Sequence, residues 1–180
     1  MTIYIALLRG INVGGHNIVK MHDLRIALEN IGFDQVKTYI QSGNIVFHSN
    51  ENANKVKSQI EQEINKVFGF CVPVIVRTKL EWEEIIEKCP YPVSSLPEGE
   101  SVHLALMEKE PTEESSNYLY EFKSDTEECY IRGKEVYLHL RQSFSNSKLP
   151  NYIQKLHVPI TIRNWKTTMK LSEMAKTINN

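Results

Sequence analysis

Apolar positions along the chain fall into two successive runs of the same pattern, each reading strand, helix, strand, strand, helix, strand, helix. The first opens with Ile3-Tyr4-Ile5-Ala6-Leu7-Leu8, and Met21, Leu24, Leu28 and Ile31 then recur at helical spacing until Gly32 stops them. Val36 to Ile40 and Ile45 to His48 predict a hairpin around Gln41-Ser42-Gly43-Asn44, where glycine and asparagine tolerate positive φ. Val56, Ile60, Ile64 and Val67 make one stripe of a helix over 53–68, ended by Gly69. After a strand from Val72 to Arg77, Thr78-Lys79-Leu80-Glu81 reads as a capping box opening the next helix.

The second run matches the first segment by segment. Val102 to Met107 aligns with Ile3 to Leu8, Tyr130-Ile131 to His139 with Tyr39-Ile40 to His48, and Val158-Pro159-Ile160-Thr161-Ile162-Arg163 with Val72-Pro73-Val74-Ile75-Val76-Arg77. Helices are expected over 112–122, over 150–157 and from Asn164, which stands as a cap where Thr78 stood. The expected organisation is a first repeat over 1–89, a proline-rich linker over 90–100 and a second repeat over 101–180. The expected class is α+β, two tandem ferredoxin-like βαββαβ units, each with a further helix and a mainly antiparallel sheet.

One stretch has no counterpart in the second run. Arg9-Gly10-Ile11-Asn12-Val13-Gly14-Gly15-His16-Asn17 interrupts only the first repeat, so closure of the fold does not require it. In a βαββαβ sheet of order 4-1-3-2, the end of the first strand lies at the same edge as the hairpin between strands two and three. The glycine loop and Gln41–Asn44 are therefore expected to converge. Arg9, Gly10, Asn12, Gly14, Gly15, Asn17, Gln41, Ser42 and Asn44 form the candidate ligand site, suited by its donors to a small anionic or nucleotide-like ligand. The competing structural reading is that the glycines permit turns while Asn12, Asn17 and Asn44 tie them to local backbone. Arg163, Asn164 and Lys166, at a strand-to-helix junction, make a second candidate contact, against which stands a capped helix with Trp165 anchored in the core.

Composition narrows the class. The chain of 180 residues is 41% hydrophobic, enough for a substantial core. Its longest apolar stretch, Ile3 to Leu8, is far too short to span a bilayer, and no basic segment precedes it, so neither a membrane partner nor export is expected. Three cysteines, Cys71, Cys89 and Cys129, read as small buried residues of a cytoplasmic protein, without a disulfide framework. The net charge of -1 hides a polarity: residues 1–78 hold 8 basic and 6 acidic side chains, 79–135 hold 6 and 15, and 136–180 hold 7 and 1. The basic end supports an alternative reading as a nucleic-acid-binding module, and a protein-interaction scaffold is a third; the acidic middle opposes general coating of a polyanion.

Established signatures fail here. Gly10 and Gly15 have P-loop spacing, but His16-Asn17 stands where lysine and a hydroxyl belong, and the dinucleotide fingerprint is broken. The histidines lack metal-ligand spacing, and His48 with His139 fits a structural strand-end role. Tyr4 sits where an RNA-recognition motif carries a stacking aromatic, yet the partner signature is poor, and Tyr4 is expected to pack against the other repeat. No catalytic residue, cofactor or metal is assigned.

Leu7-Leu8-Arg9-Gly10-Ile11-Asn12-Val13-Gly14-Gly15, Tyr39-Ile40-Gln41-Ser42-Gly43-Asn44 and Arg163-Asn164-Trp165 together resemble the hallmarks of the bacterial family called domain of unknown function 1697. The resemblance implies two similar ferredoxin-like halves and no activity. Its first two motifs are the loops that topology brings together.

Overall fold

The computed structural model describes residues 1–178 of the chain, so 179 and 180 of the expected second repeat lie outside the described residues. It is an α+β structure with two four-stranded antiparallel sheets and six α-helices among the described residues. The first series is β1 (Thr2–Leu8), α1 (Met21–Asn30), β2 (Asp34–Tyr39), β3 (Asn44–Ser49), α2 (Ala53–Phe68), β4 (Val74–Thr78) and α3 (Lys79–Glu87). The second is β5 (Ser101–Met107), α4 (Glu113–Tyr120), β6 (Glu127–Arg132), β7 (Glu135–Leu140), α5 (Leu149–Gln154), β8 (Ile160–Asn164) and α6 (Trp165–Lys176). Sheet orders are β2-β3-β1-β4 and β6-β7-β5-β8, the same arrangement twice. Among the described residues the compact units are Met1–Glu84 with 169–178, and Ile85–Thr168.

In the first unit β1 runs antiparallel to β3, pairing Ile3 with His48 and Leu7 with Asn44, and β4 lies on its other side. Tyr4, Ala6 and Leu8 share a core with Ile45 and Phe47 of β3, Leu24 and Leu28 of α1, and Val56, Ile60 and Ile64 of α2. Phe33 stacks on Phe47 with ring centroids 4.5 Å apart. Each such side chain taken from water contributes about 1.5–3 kcal/mol. The expectation for Tyr4 is corrected: its ring lies in this core beside Phe47, and its hydroxyl donates to the Glu51 carbonyl at 2.8 Å. Ile3, Ile5 and Leu7 are buried as well, so the alternation of β1 carried no signal of which face meets the helices.

Caps account for the helix ends. Asn52 accepts from the Lys55 amide at 3.0 Å to open α2, and Gly69 closes it at φ 82°. The box before α3 forms in both directions: the Thr78 amide donates to Glu81 at 2.7 Å, and the Glu81 amide to Thr78 Oγ1 at 3.2 Å. In the second unit Ala105, Met107, Val136 and Leu138 pack with Leu119 of α4 and Leu149 and Ile153 of α5. The cysteine expectation is corrected too: Cys71 is exposed on the turn after Gly69, and Cys89 and Cys129 are half-buried.

Candidate functional site

The excursion after β1 is pinned at both ends before it becomes a loop. The Leu8 amide donates to the Gly43 carbonyl at 2.8 Å, and the Arg9 amide to the Pro73 carbonyl at 3.1 Å. Ile11 and Val19, 2% and 1% exposed, enter the core of the first unit as two apolar anchors. Between them the chain makes a miniature hairpin, with the Asn12 amide donating to the Asn17 carbonyl at 3.1 Å and the His16 amide to the Val13 carbonyl at 3.0 Å. Gly14 and Gly15, at φ 58° and 77°, form its tip in the left-handed conformation that a two-residue turn of this hand requires.

Asn12 joins this loop to the hairpin. Its Nδ2 donates to the Val19 carbonyl at 2.9 Å and to the Gln41 carbonyl at 2.7 Å, while its Oδ1 accepts from the Val19 amide at 2.9 Å. The convergence expected from topology is therefore a direct hydrogen bond. Asn17 Nδ2 donates to the Gly10 carbonyl at 3.1 Å. Asn44 is fully buried and donates to the Tyr39 carbonyl and Ser42 Oγ, both at 2.9 Å. Asn12 and Asn44 thus hold turns together, their Nδ2 donors taken by the Val19, Gln41 and Tyr39 carbonyls and by Ser42 Oγ.

The hairpin turn departs from expectation in detail. Ile40, not Asn44, adopts positive φ, at 48°, together with Gly43 at 79°. A Cβ on Gly43 would stand 2.6 Å from Leu8 Cβ and 2.8 Å from Ile11 Cδ1, so glycine is required by close approach as well as by φ.

Solvent meets Arg9, Gly10, Gly14, Gly15, Asn17 and Gln41 here, with Ser42 half-buried. Among the described residues the Arg9 guanidinium makes no hydrogen bond or ion pair, and the amides of Gly14 and Gly15 donate to nothing. Residues 9–22 include Arg9, Lys20, His16 and His22 and no acid. Val13, Ile18 and Ile40 are exposed beside them. Sequence reasoning missed the anchoring role of Ile11 and Val19; two apolar side chains flanking a polar glycine hairpin were the available signal.

The residues of the second candidate contact differ in their surroundings. Arg163 is 9% exposed, and its Nη1 donates to Thr161 Oγ1 at 2.7 Å and to the Ile162 carbonyl at 3.0 Å; burial lowers its pKa. Arg77, its repeat equivalent, is buried in the same way, with Nη1 3.0 Å from the Val76 carbonyl. Asn164 Oδ1 accepts from the Thr167 amide at 2.8 Å and so caps α6, with Trp165 half-buried beside it. Asn164 and Lys166 are exposed there, and Arg163 is buried.

Other chemistry is weakly provided for. Burial pushes the Cys89 thiol up and the Cys129 thiol up to about 11, which removes the thiolate a nucleophile needs at neutral pH. His139, near the end of β7, lies 2.6 Å from Glu100 and 3.0 Å from Glu128, which also pairs with Arg141. Among the described residues no group of His, Cys, Asp and Glu is placed to hold a metal, and no helix is long and apolar enough to cross a membrane.

No curated protein matches the chain. Among solved structures, a conserved bacterial protein of Streptococcus pneumoniae is 30% identical, with a TM-score of 0.78 over 97% of this chain and 98% of that one. The model of a family described as proteins of unknown function, DUF1697, matches residues 1–137, and so takes in both the glycine loop and the hairpin it is bonded to. The chain belongs to the DUF1697 family.

Proposed function

We propose that the protein binds a small anionic or nucleotide-like ligand where the glycine loop meets the first hairpin, on a scaffold of two duplicated ferredoxin-like halves in the cytoplasm. One observation carries the reading: an unpaired Arg9 guanidinium and the free amides of Gly14 and Gly15 stand on a backbone that Asn12 has already fixed to Gln41 at 2.7 Å. Donors held in place before binding lose little freedom when an oxyanion arrives. Arg9 supplies charge, the glycine amides accept close approach, and Gln41 and Ser42 supply the polar rim. Asn12 and Asn44 act behind them as braces.

The test is an amide NMR titration of the full chain with inorganic phosphate, pyrophosphate and AMP. Shifts at Gly14, Gly15 and Gln41 are expected, and Arg9→Ala is expected to weaken binding about tenfold, the weight of one hydrogen bond to a charged group. Absence of shifts in these residues, or binding indifferent to Arg9→Ala, overturns the reading. The nucleic-acid alternative loses support from the burial of Arg163 and the capping role of Asn164. Its mark is a steep fall of RNA or DNA retention with salt.

A further inference from the structure

The second unit holds an open cavity of about 970 Å³, lined by the segment from Lys109 to Glu121 and by residues 155–158. It lies at the repeat equivalent of the edge that bears the glycine loop. The Arg9 amide to Pro73 carbonyl bond reappears as Glu108 to Pro159 at 3.0 Å, and Leu8 to Gly43 as Met107 to Lys134 at 2.8 Å. In the first unit the excursion sends Ile11 and Val19 into the core. In the second the chain passes from Met107 to the Thr112 cap with only Glu108-Lys109-Glu110-Pro111 between, and sends no such anchor inward.

Tyr118 and Lys155 line the cavity, and Tyr152 and Phe122 pack beside them. Tyr118 of α4 stacks on Tyr152 of α5 with centroids 5.7 Å apart and planes 19° apart, and Phe122 meets Tyr152 edge-on at 4.7 Å. Over this pair lies an ammonium: Lys155 Nζ is 4.7 Å from the Tyr118 centroid and 5.3 Å from that of Tyr152, and it donates to the Tyr118 hydroxyl. Lys155 is exposed, just past the end of α5 on a flexible stem, so it can swing out into water. Aromatic faces that hold one ammonium hold another of the same chemistry. Around the opening, Glu110, Glu114 and Glu121 have no side-chain hydrogen bond or ion pair among the described residues, and the free carboxylates outnumber the one free lysine, Lys109. The cavity's size is that of a site for a small molecule.

We propose that this cavity is a second binding site, for a linear aliphatic di- or polyamine, with one ammonium replacing Lys155 Nζ over Tyr118 and Tyr152 and the remaining charge lying against Glu110, Glu114 and Glu121. Lys155 is then a resident competitor that closes the wall until the amine displaces it.

The full chain is titrated with spermidine, and with 1,5-pentanediol as an uncharged comparator, by calorimetry and amide NMR. Spermidine is expected to bind with shifts confined to 109–121 and 152–158, and the diol not to bind. Lys155→Met removes the competitor and is expected to tighten spermidine about threefold, the scale of an exposed cation–π contact. Glu114→Gln with Glu121→Gln is expected to weaken it about tenfold, while Arg9→Ala leaves it unchanged, which separates this site from the anion site. These side chains are at the surface, and circular dichroism verifies each fold. No spermidine binding by either the natural protein or Lys155→Met, an unchanged affinity in Lys155→Met, or shifts centred elsewhere overturns the proposal.

Discussion

Asn12 Nδ2 donates to the Gln41 carbonyl at 2.7 Å, across 29 residues of sequence, and by that bond the glycine loop and the β2–β3 turn become one body. The same amide serves both sides of Val19. Asn12→Ala removes three hydrogen bonds and strands two carbonyls and an amide in a partly enclosed place. The expected cost is about 2–3 kcal/mol, read by urea denaturation, with hydrogen exchange rising first in residues 9–20 and 40–43. Unchanged exchange there would show that Ile11 and Val19 alone fix the loop.

Gly43 and Gly14 separate steric demand from conformational demand. Both lie at positive φ, yet a Cβ at Gly43 meets Leu8 at 2.6 Å, whereas at Gly14 the nearest atom is His16 Cδ2 at 3.9 Å. Gly14→Ala is expected to cost about 1–2 kcal/mol, the left-handed penalty alone. Gly43→Ala adds displacement of the Leu8–Ile11 contact, about 1–3 kcal/mol more. Equal denaturation midpoints for the two variants would contradict the close approach.

Much of this was legible in the chain because the pattern occurs twice. The strand order follows from two copies of one element series, and the sheet order then places Arg9 and Gln41 at one edge. Strand limits moved by local chemistry: β4 begins at Val74 because Pro73 has no amide and its carbonyl receives Arg9. What stayed hidden depended on side-chain direction. The parity of Tyr4 could not be read, since β1 is apolar on both faces. Arg163 looked like a surface cation because nothing in its neighbours foretold that β8 would turn its guanidinium inward onto Thr161.

Ile40 is a β-branched residue at φ 48°, a conformation that costs such a side chain of the order of 1–3 kcal/mol. It is also about half exposed, so its burial offsets only part of the strain. Ile40→Asn is expected to raise stability by about 1 kcal/mol, since asparagine tolerates that backbone, and to shift the midpoint of thermal unfolding up by a few degrees. Ile40 is exposed beside the candidate site, so the same variant is expected to weaken AMP binding while stabilising the fold, and the two effects are measured on one sample.

Glu127 gives the second unit an acid-sensitive fastening. At the start of β6 its carboxylate accepts from Ser147 Oγ, from the amides of Lys148 and Leu149 at 3.0 and 3.2 Å, and from Gln142 Nε2 at 2.9 Å, holding the chain that leads into α5. Burial pushes its pKa up, but these donors and the Lys148 charge outweigh burial and hold it below the ordinary carboxylate range. A folded pKa lower than the unfolded one means that the stabilisation is complete above the unfolded value, about 4.3, and is lost as pH falls through the folded value. Glu127→Gln keeps the shape but supplies donors where only acceptors fit, so about 1–3 kcal/mol is expected to go at neutral pH. The variant's stability should then vary less with pH between about 5 and 2 than that of the natural protein. Parallel pH profiles of the two proteins in chemical denaturation would show that another carboxylate governs the acid limb.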